Sequence, residues 1–90
     1  EMKRLEAEER NRLSRRLKPL KNELASVEAR IAGLEEVKKN HEKELCLPGM
    51  HEKPDRIRLL TQELQKVHQE LEDLYDRWAD ITERIEGVQS

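Results

Sequence analysis

The sequence predicts an all-α fold, an antiparallel two-helix coiled-coil hairpin, and three observations carry that prediction. Ile57, Leu60, Leu64, Val67, Leu71, Leu74, Trp78, Ile81, Ile85 and Val88 alternate in steps of three and four, the spacing of an a/d heptad seam. A second run, Leu13, Leu17, Leu20, Leu24, Val27, Ile31 and Leu34, keeps the same alternation, and its register carries on through Lys38 and His41 to Leu45. A single short break holding Pro48 and Gly49 separates the two runs, so each stripe has one obvious partner.

Composition narrows the alternatives. The 90 residues are 42% charged and 34% hydrophobic, with no Phe, one Tyr and one Trp, too little apolar bulk for an ordinary globular core. Such a composition also suits disorder, but a disordered chain has no reason to hold apolar residues in a period of about 3.5. The second stripe alone implies a helix about 50 Å long at roughly 1.5 Å per residue, which only another long helix can cover.

Residues 1–16 are strong helix formers with a poor seam, because Leu5 and Leu13 are eight apart and Glu6 stands where a d residue would fall. They are expected to form a charged linker or fraying helix. The chain opens on Glu rather than Met, and its charged start is expected to continue a longer protein. The hairpin is expected over 17–88, with a first arm 17–46, a tip 47–53 and a second arm 54–88. Pro19 predicts either a kink or a helix start near Lys18, since an interior proline removes a backbone hydrogen bond and costs about 3 kcal/mol. Pro54 suits the first position of the second arm with Asp55 close behind, and Gly87 is read as a C-terminal cap. Two inter-arm registers are open, pairing residues whose numbers sum to 105 or to 98; the first fits the tip better and sets Val27 against Trp78.

The net charge of −2 exerts no global pull on nucleic acid, yet the charge is unevenly spread. Residues 1–21 are net +4, 22–37 net −3, 38–58 net +2, 59–68 neutral and 69–90 net −5. Arg10, Arg12, Arg15, Arg16, Lys18 and Lys21 put six cations in twelve residues with no acid among them, a pattern that attracts phosphates. Lys39, Lys43, Lys53 and Arg58 form a second basic set around the tip, joined by Lys38 and Arg56 and diluted by nearby acids. The opposing expectation is that the acidic second arm (Asp73, Asp76, Asp80, Glu83, Glu86) lies alongside the first set and neutralises it.

No catalytic or cofactor-binding apparatus is visible, since the chain has no Gly-rich phosphate loop and a two-helix hairpin offers no sheltered cleft. His41, Cys46 and His51 gather near the tip, but structural zinc takes four ligands, usually with closer Cys pairs. His41 is expected instead to loosen the seam and disfavour other registers, and Cys46 to act as a small apolar side chain. Glu63 and Lys66 are expected to form a weak pair along the second arm. Trp78 is expected to pack in the seam, with Tyr75 beside it at its edge. A single cysteine permits no internal disulfide, and no run approaches 18 apolar residues, so neither membrane insertion nor secretion is expected.

The run RNRLSRRLKPLKNELASVEARIAGLEE, the break, and LTQELQKVHQELEDLYDRWADITERIE together resemble the C-terminal coiled-coil extension of the Uup-like ABC-F ATP-binding cassette proteins. Leu20 following Pro19, the central break, and Leu74, Tyr75 and Trp78 late in the second arm carry the resemblance. The tip differs: many relatives begin it with Asp-Pro and include a Tyr, where this chain has Cys46, Leu47, Pro48, Gly49 and Met50. The resemblance implies a soluble, cytoplasmic parent that acts at the ribosome in translation. Its two tandem cassettes would bind ATP and Mg and contact this arm. In some relatives the extension is linked to nucleic-acid binding. The expected function is therefore a non-enzymatic accessory domain, monomeric as a fragment, that contacts DNA or ribosomal RNA. The alternative is a protein-interaction or spacer hairpin without nucleic-acid affinity.

Overall fold

The computed structural model describes residues 2–89; Glu1, where the expected leading segment begins, and Ser90 lie outside them. Helix α1 spans Met2–Leu45, a single 3-10 turn covers Met50–Glu52, and helix α2 spans Pro54–Gln89. The two helices lie side by side as an antiparallel hairpin, a rod of 76 × 17 × 15 Å with no strand among the described residues.

The tip turns through backbone hydrogen bonds and one left-handed residue. Cys46 and Leu47 donate their N–H groups to the carbonyls of Lys43 and Glu44, closing the last turn of α1. Gly49 then takes φ 82°, a conformation that costs little without a Cβ. Met50 folds back against α2 and is only 7% exposed, while the Lys53 carbonyl accepts from Ile57 to begin α2 with Pro54 in its first turn. Cys46, expected as a small apolar side chain, is solvent-exposed.

Register follows from the polar pairs that flank the seam. With Leu24 and Trp78 at a, and Val27 and Ile81 at d, Glu23–Arg77, Arg30–Glu70 and Glu44–Arg56 are g–g pairs whose numbers sum to 100. Tyr75 and Glu35 form an e–e pair summing to 110. The two edges are centred on 105, and the e–e sum of 110 excludes the alternative of 98. The core agrees: Leu17, Val27, Ile81 and Ile85 form one cluster and Leu34, Val67 and Leu71 another. Ile31 and Leu74 pack against both and make the seam continuous. Ile81 and Leu60, at 2% and 0% exposure, are its best-covered residues, each contributing about 2 kcal/mol or more by leaving water.

Three expectations are corrected. First, of the two alternatives at Pro19 only the helix start near Lys18 is excluded: α1 begins at Met2 and runs through Pro19. Pro19 occupies an outward c position, and the carbonyl its missing N–H leaves free, that of exposed Arg15, is open to water. Second, Gly87 does not cap α2, which continues to Gln89. Third, Trp78 is not a packed seam residue: it is 39% exposed, and its Nε1–H donates to Glu28 Oε1 at 3.4 Å. Two helices leave an a position open on one flank, so an indole too broad for the layer opposite Val27 leans outward to the e edge.

Candidate nucleic-acid interface

The 105 register sets Gln89 against residue 16, so residues 2–15 project beyond the end of α2 as a single helix about 20 Å long. This overhang explains where the basic base stands. Arg10, Arg12, Arg15, Arg16, Lys18 and Lys21 fall at heptad positions a, c, f, g, b and e, spreading positive charge around the helix, and all are exposed. A shallow groove runs along this end, floored by Leu13 and Leu17 and walled by Arg10, Lys18 and Lys21.

Of the arginines elsewhere, all but Arg58 are engaged. Arg30 and Arg77 each donate through Nη2 at 2.7 Å to a carboxylate of the other arm, Glu70 and Glu23 respectively, and Arg56 grips Glu44 through Nε and Nη2. That grip holds the Glu44 carboxyl below its ordinary pKa, chiefly through the Arg56 hydrogen bond, and raises Arg56 in turn. Arg84 meets Asp80 at 3.2 Å and Arg4 meets Glu8 at 3.7 Å. By contrast, among the described residues Arg12, Arg15, Arg16, Lys18 and Lys21 form no ion pair within 4 Å, and Arg10 reaches only the Glu6 carbonyl at 3.4 Å.

The acidic second arm does not pair with this set. Asp73 and Asp80 lie at c positions level with residues 32 and 25, and take Gln69 and Arg84 as partners. Glu83 and Glu86 come level with residues 22 and 19, alongside Lys18 and Lys21 but short of Arg10 to Arg16. The tip set, Lys39, Lys43, Lys53 and Arg58, is likewise exposed and forms no ion pair within 4 Å among the described residues, though the Lys53 charge acts on Glu44, and it sits at the far end of the 76 Å rod. The fold therefore separates the two basic sets rather than uniting them, and it removes Arg56 from the tip set by tying it to Glu44.

Some contacts were not foreseen. Half-buried His41 pairs with Glu63 at 2.5 Å, filling the gap in the g-edge ladder where Val37 has no charge to offer; Glu63 does not take Lys66. His51 lies 3.8 Å from Glu52, and no cluster of three His, Cys, Asp or Glu suited to a metal occurs among the described residues. Glu28 and Glu35, one heptad apart, receive the polar groups of Trp78 and Tyr75; the Tyr75 hydroxyl donates to Glu35 Oε1 at 3.1 Å. That bond, reinforced by desolvation and the Glu35 charge, raises the Tyr75 phenol above its ordinary pKa. The e–e spacing in the sequence carried the signal for the Glu35–Tyr75 pair once the register was chosen.

No helix among the described residues is long and apolar enough to cross a membrane. Comparisons with curated proteins and with solved structures give no match. A family model, the ABC transporter C-terminal domain, matches residues 12–83, taking in both arms, the tip and the basic residues from Arg12 to Lys21. On that match over most of its length, joined to the hairpin it folds into, this chain belongs to the ABC transporter C-terminal domain family.

Proposed function

We propose that this accessory domain of an ABC protein contacts nucleic acid, DNA or ribosomal RNA, through the basic base of α1. The parent is read as an ABC-F-type ATPase working at the ribosome in the cytoplasm, with the hairpin as a stiff arm on its cassettes. The observation that carries the reading is the division of labour among cations: Arg30, Arg56 and Arg77 are spent on cross-arm pairs, whereas Arg12, Arg15, Arg16 and Lys18 stand exposed and unpaired where two-helix packing gives way to a single helix. Unpaired guanidinium and ammonium groups are free to replace the counterions of a phosphate backbone, and a basic rod can recognise A-form RNA by shape and phosphate without aromatic readout.

The test is binding of the fragment to duplex DNA, single-stranded DNA and a ribosomal RNA hairpin, followed by anisotropy as salt is raised. Phosphate contact gives a log-log slope of roughly 0.7 to 0.9 per phosphate neutralised. No binding to any of the three at low salt leaves the protein-interaction hairpin in its place.

A further inference from the structure

The two edges of the hairpin differ in charge: the g edge pairs cations with Glu23 and Glu70, whereas the e edge is acidic. In residues 22–37 of α1 and 69–89 of α2 the only cations are Arg30, Arg77 and Arg84, and all three are g residues. The opposite edge carries Glu28 and Glu35 at e and Glu72 and Glu86 at the neighbouring b positions, with no Lys or Arg on it between Lys21 and Lys39, and it holds the half-exposed rings of Trp78 and Tyr75. Ala25, Ala32 and Ala79, at b positions on the same side, are exposed and carry only a methyl group.

Each ring is fixed by a carboxylate of α1. Trp78 uses Glu28 Oε1 and Tyr75 uses Glu35 Oε1, which leaves Oε2 of both acids open to an incoming donor. Glu28 and Glu35 stand one heptad apart, about 10 Å along the helix. The geometry points to this edge as a docking site for a cationic segment of a partner protein, its Arg or Lys side chains lying on the Trp78 and Tyr75 rings with one charge at Glu28 and the next at Glu35. A cation over an aromatic face gains from the ring quadrupole, and a guanidinium adds planar, charge-assisted hydrogen bonds to a carboxylate. The same acids repel phosphate, so this edge and the basic base call for partners of opposite charge.

Trp78 is the only tryptophan, so its emission reports on the site directly. The probe is a nine-residue Gly/Ser peptide with Arg at its second, fifth and eighth positions, an extended spacing of about 10 Å that matches the two acids. Titration is expected to give a saturable change in Trp78 emission, and the same peptide with Gln for Arg none. Glu28→Gln with Glu35→Gln, which keeps an acceptor for each ring, should weaken binding about five-fold or more. Asp73→Asn with Asp76→Asn, an equal loss of charge on the outer face, should change it less than about two-fold. The proposal is overturned by an absent or unsaturable response, by equal losses in the two double variants, or by a single-stranded oligonucleotide that perturbs Trp78 more tightly than the Arg peptide does.

Discussion

Arg77 holds Glu23 across 54 residues of sequence, with Nε and Nη2 at 3.1 and 2.7 Å from a single carboxylate oxygen. One heptad along, the pairing recurs with the signs exchanged, Arg30 on α1 holding Glu70 on α2. This crossed arrangement matches charge in the 105 register. It is exposed, so each pair stabilises by only a few tenths of a kcal/mol in salt, and its larger effect is on which register forms. Arg30→Glu with Arg77→Glu should therefore lower the melting temperature by setting like charges at both g–g positions, and adding Glu70→Arg with Glu23→Arg should restore it. Thermal melts of the double and quadruple variants check this; a quadruple variant as unstable as the double would mean that the ladder plays no part in pairing.

Trp78 and Ile81 stand three residues apart on the same seam but differ in burial, 39% against 2% exposed. Ile81→Ala should cost about 2 to 4 kcal/mol by the usual cavity penalty, and Trp78→Ala clearly less, on the order of 1 kcal/mol. Denaturant melts of the two variants measure the order directly. Equal costs would return Trp78 to the core.

The seam, the antiparallel pairing and the tip were legible in the sequence because heptad spacing and Pro48-Gly49 act locally and without competition. Three features were not. An a-position label says which way Trp78 starts from the backbone, not whether two helices can enclose an indole; Glu28 at the neighbouring e position drew it outward. Pro19 and Gly87 are helix breakers by propensity, but an outward-facing position and water access let α1 and α2 continue through them. Within the candidate site the basic residues were visible as composition, whereas their freedom from the acidic arm depended on a register that shifts those acids toward residues 19–32.

Because Pro19 stands in an exposed helix interior, Pro19→Ala should raise stability by up to about 3 kcal/mol while restoring the hydrogen bond to the Arg15 carbonyl. Circular dichroism melts report it. A loss of stability would mean that Pro19 fixes a bend on which the packing of Leu17 and Leu20 depends.

The pH profile follows from Glu44 and Tyr75. The Glu44 carboxyl is held below its ordinary value of 4.5 in the fold, so its contribution is present above that value and lost as pH falls through the lower folded pKa. The Tyr75 phenol is raised above 10.0, so its contribution is present below that value and lost as pH rises through the higher folded pKa. Stability should be level between these limits as far as the two groups decide it. Arg56→Gln should flatten the acid limb, and Tyr75→Phe the alkaline one, in melting temperatures followed against pH.

The most direct measurement of the central claim is the salt dependence of nucleic-acid binding in two charge-neutralised variants. Gln is a comparable helix former and the replaced groups are exposed, so helicity and melting should stay near those of the parent chain. Replacing Arg12, Arg15, Arg16 and Lys21 by Gln should weaken binding across sequences and reduce the salt slope by about three to four units. The matching replacement of Lys39, Lys43, Lys53 and Arg58 at the tip should leave the slope within about one unit of the parent chain's. A larger loss from the tip variant would move the interface to the other end of the rod, and an unchanged slope in both would contradict phosphate contact by this domain.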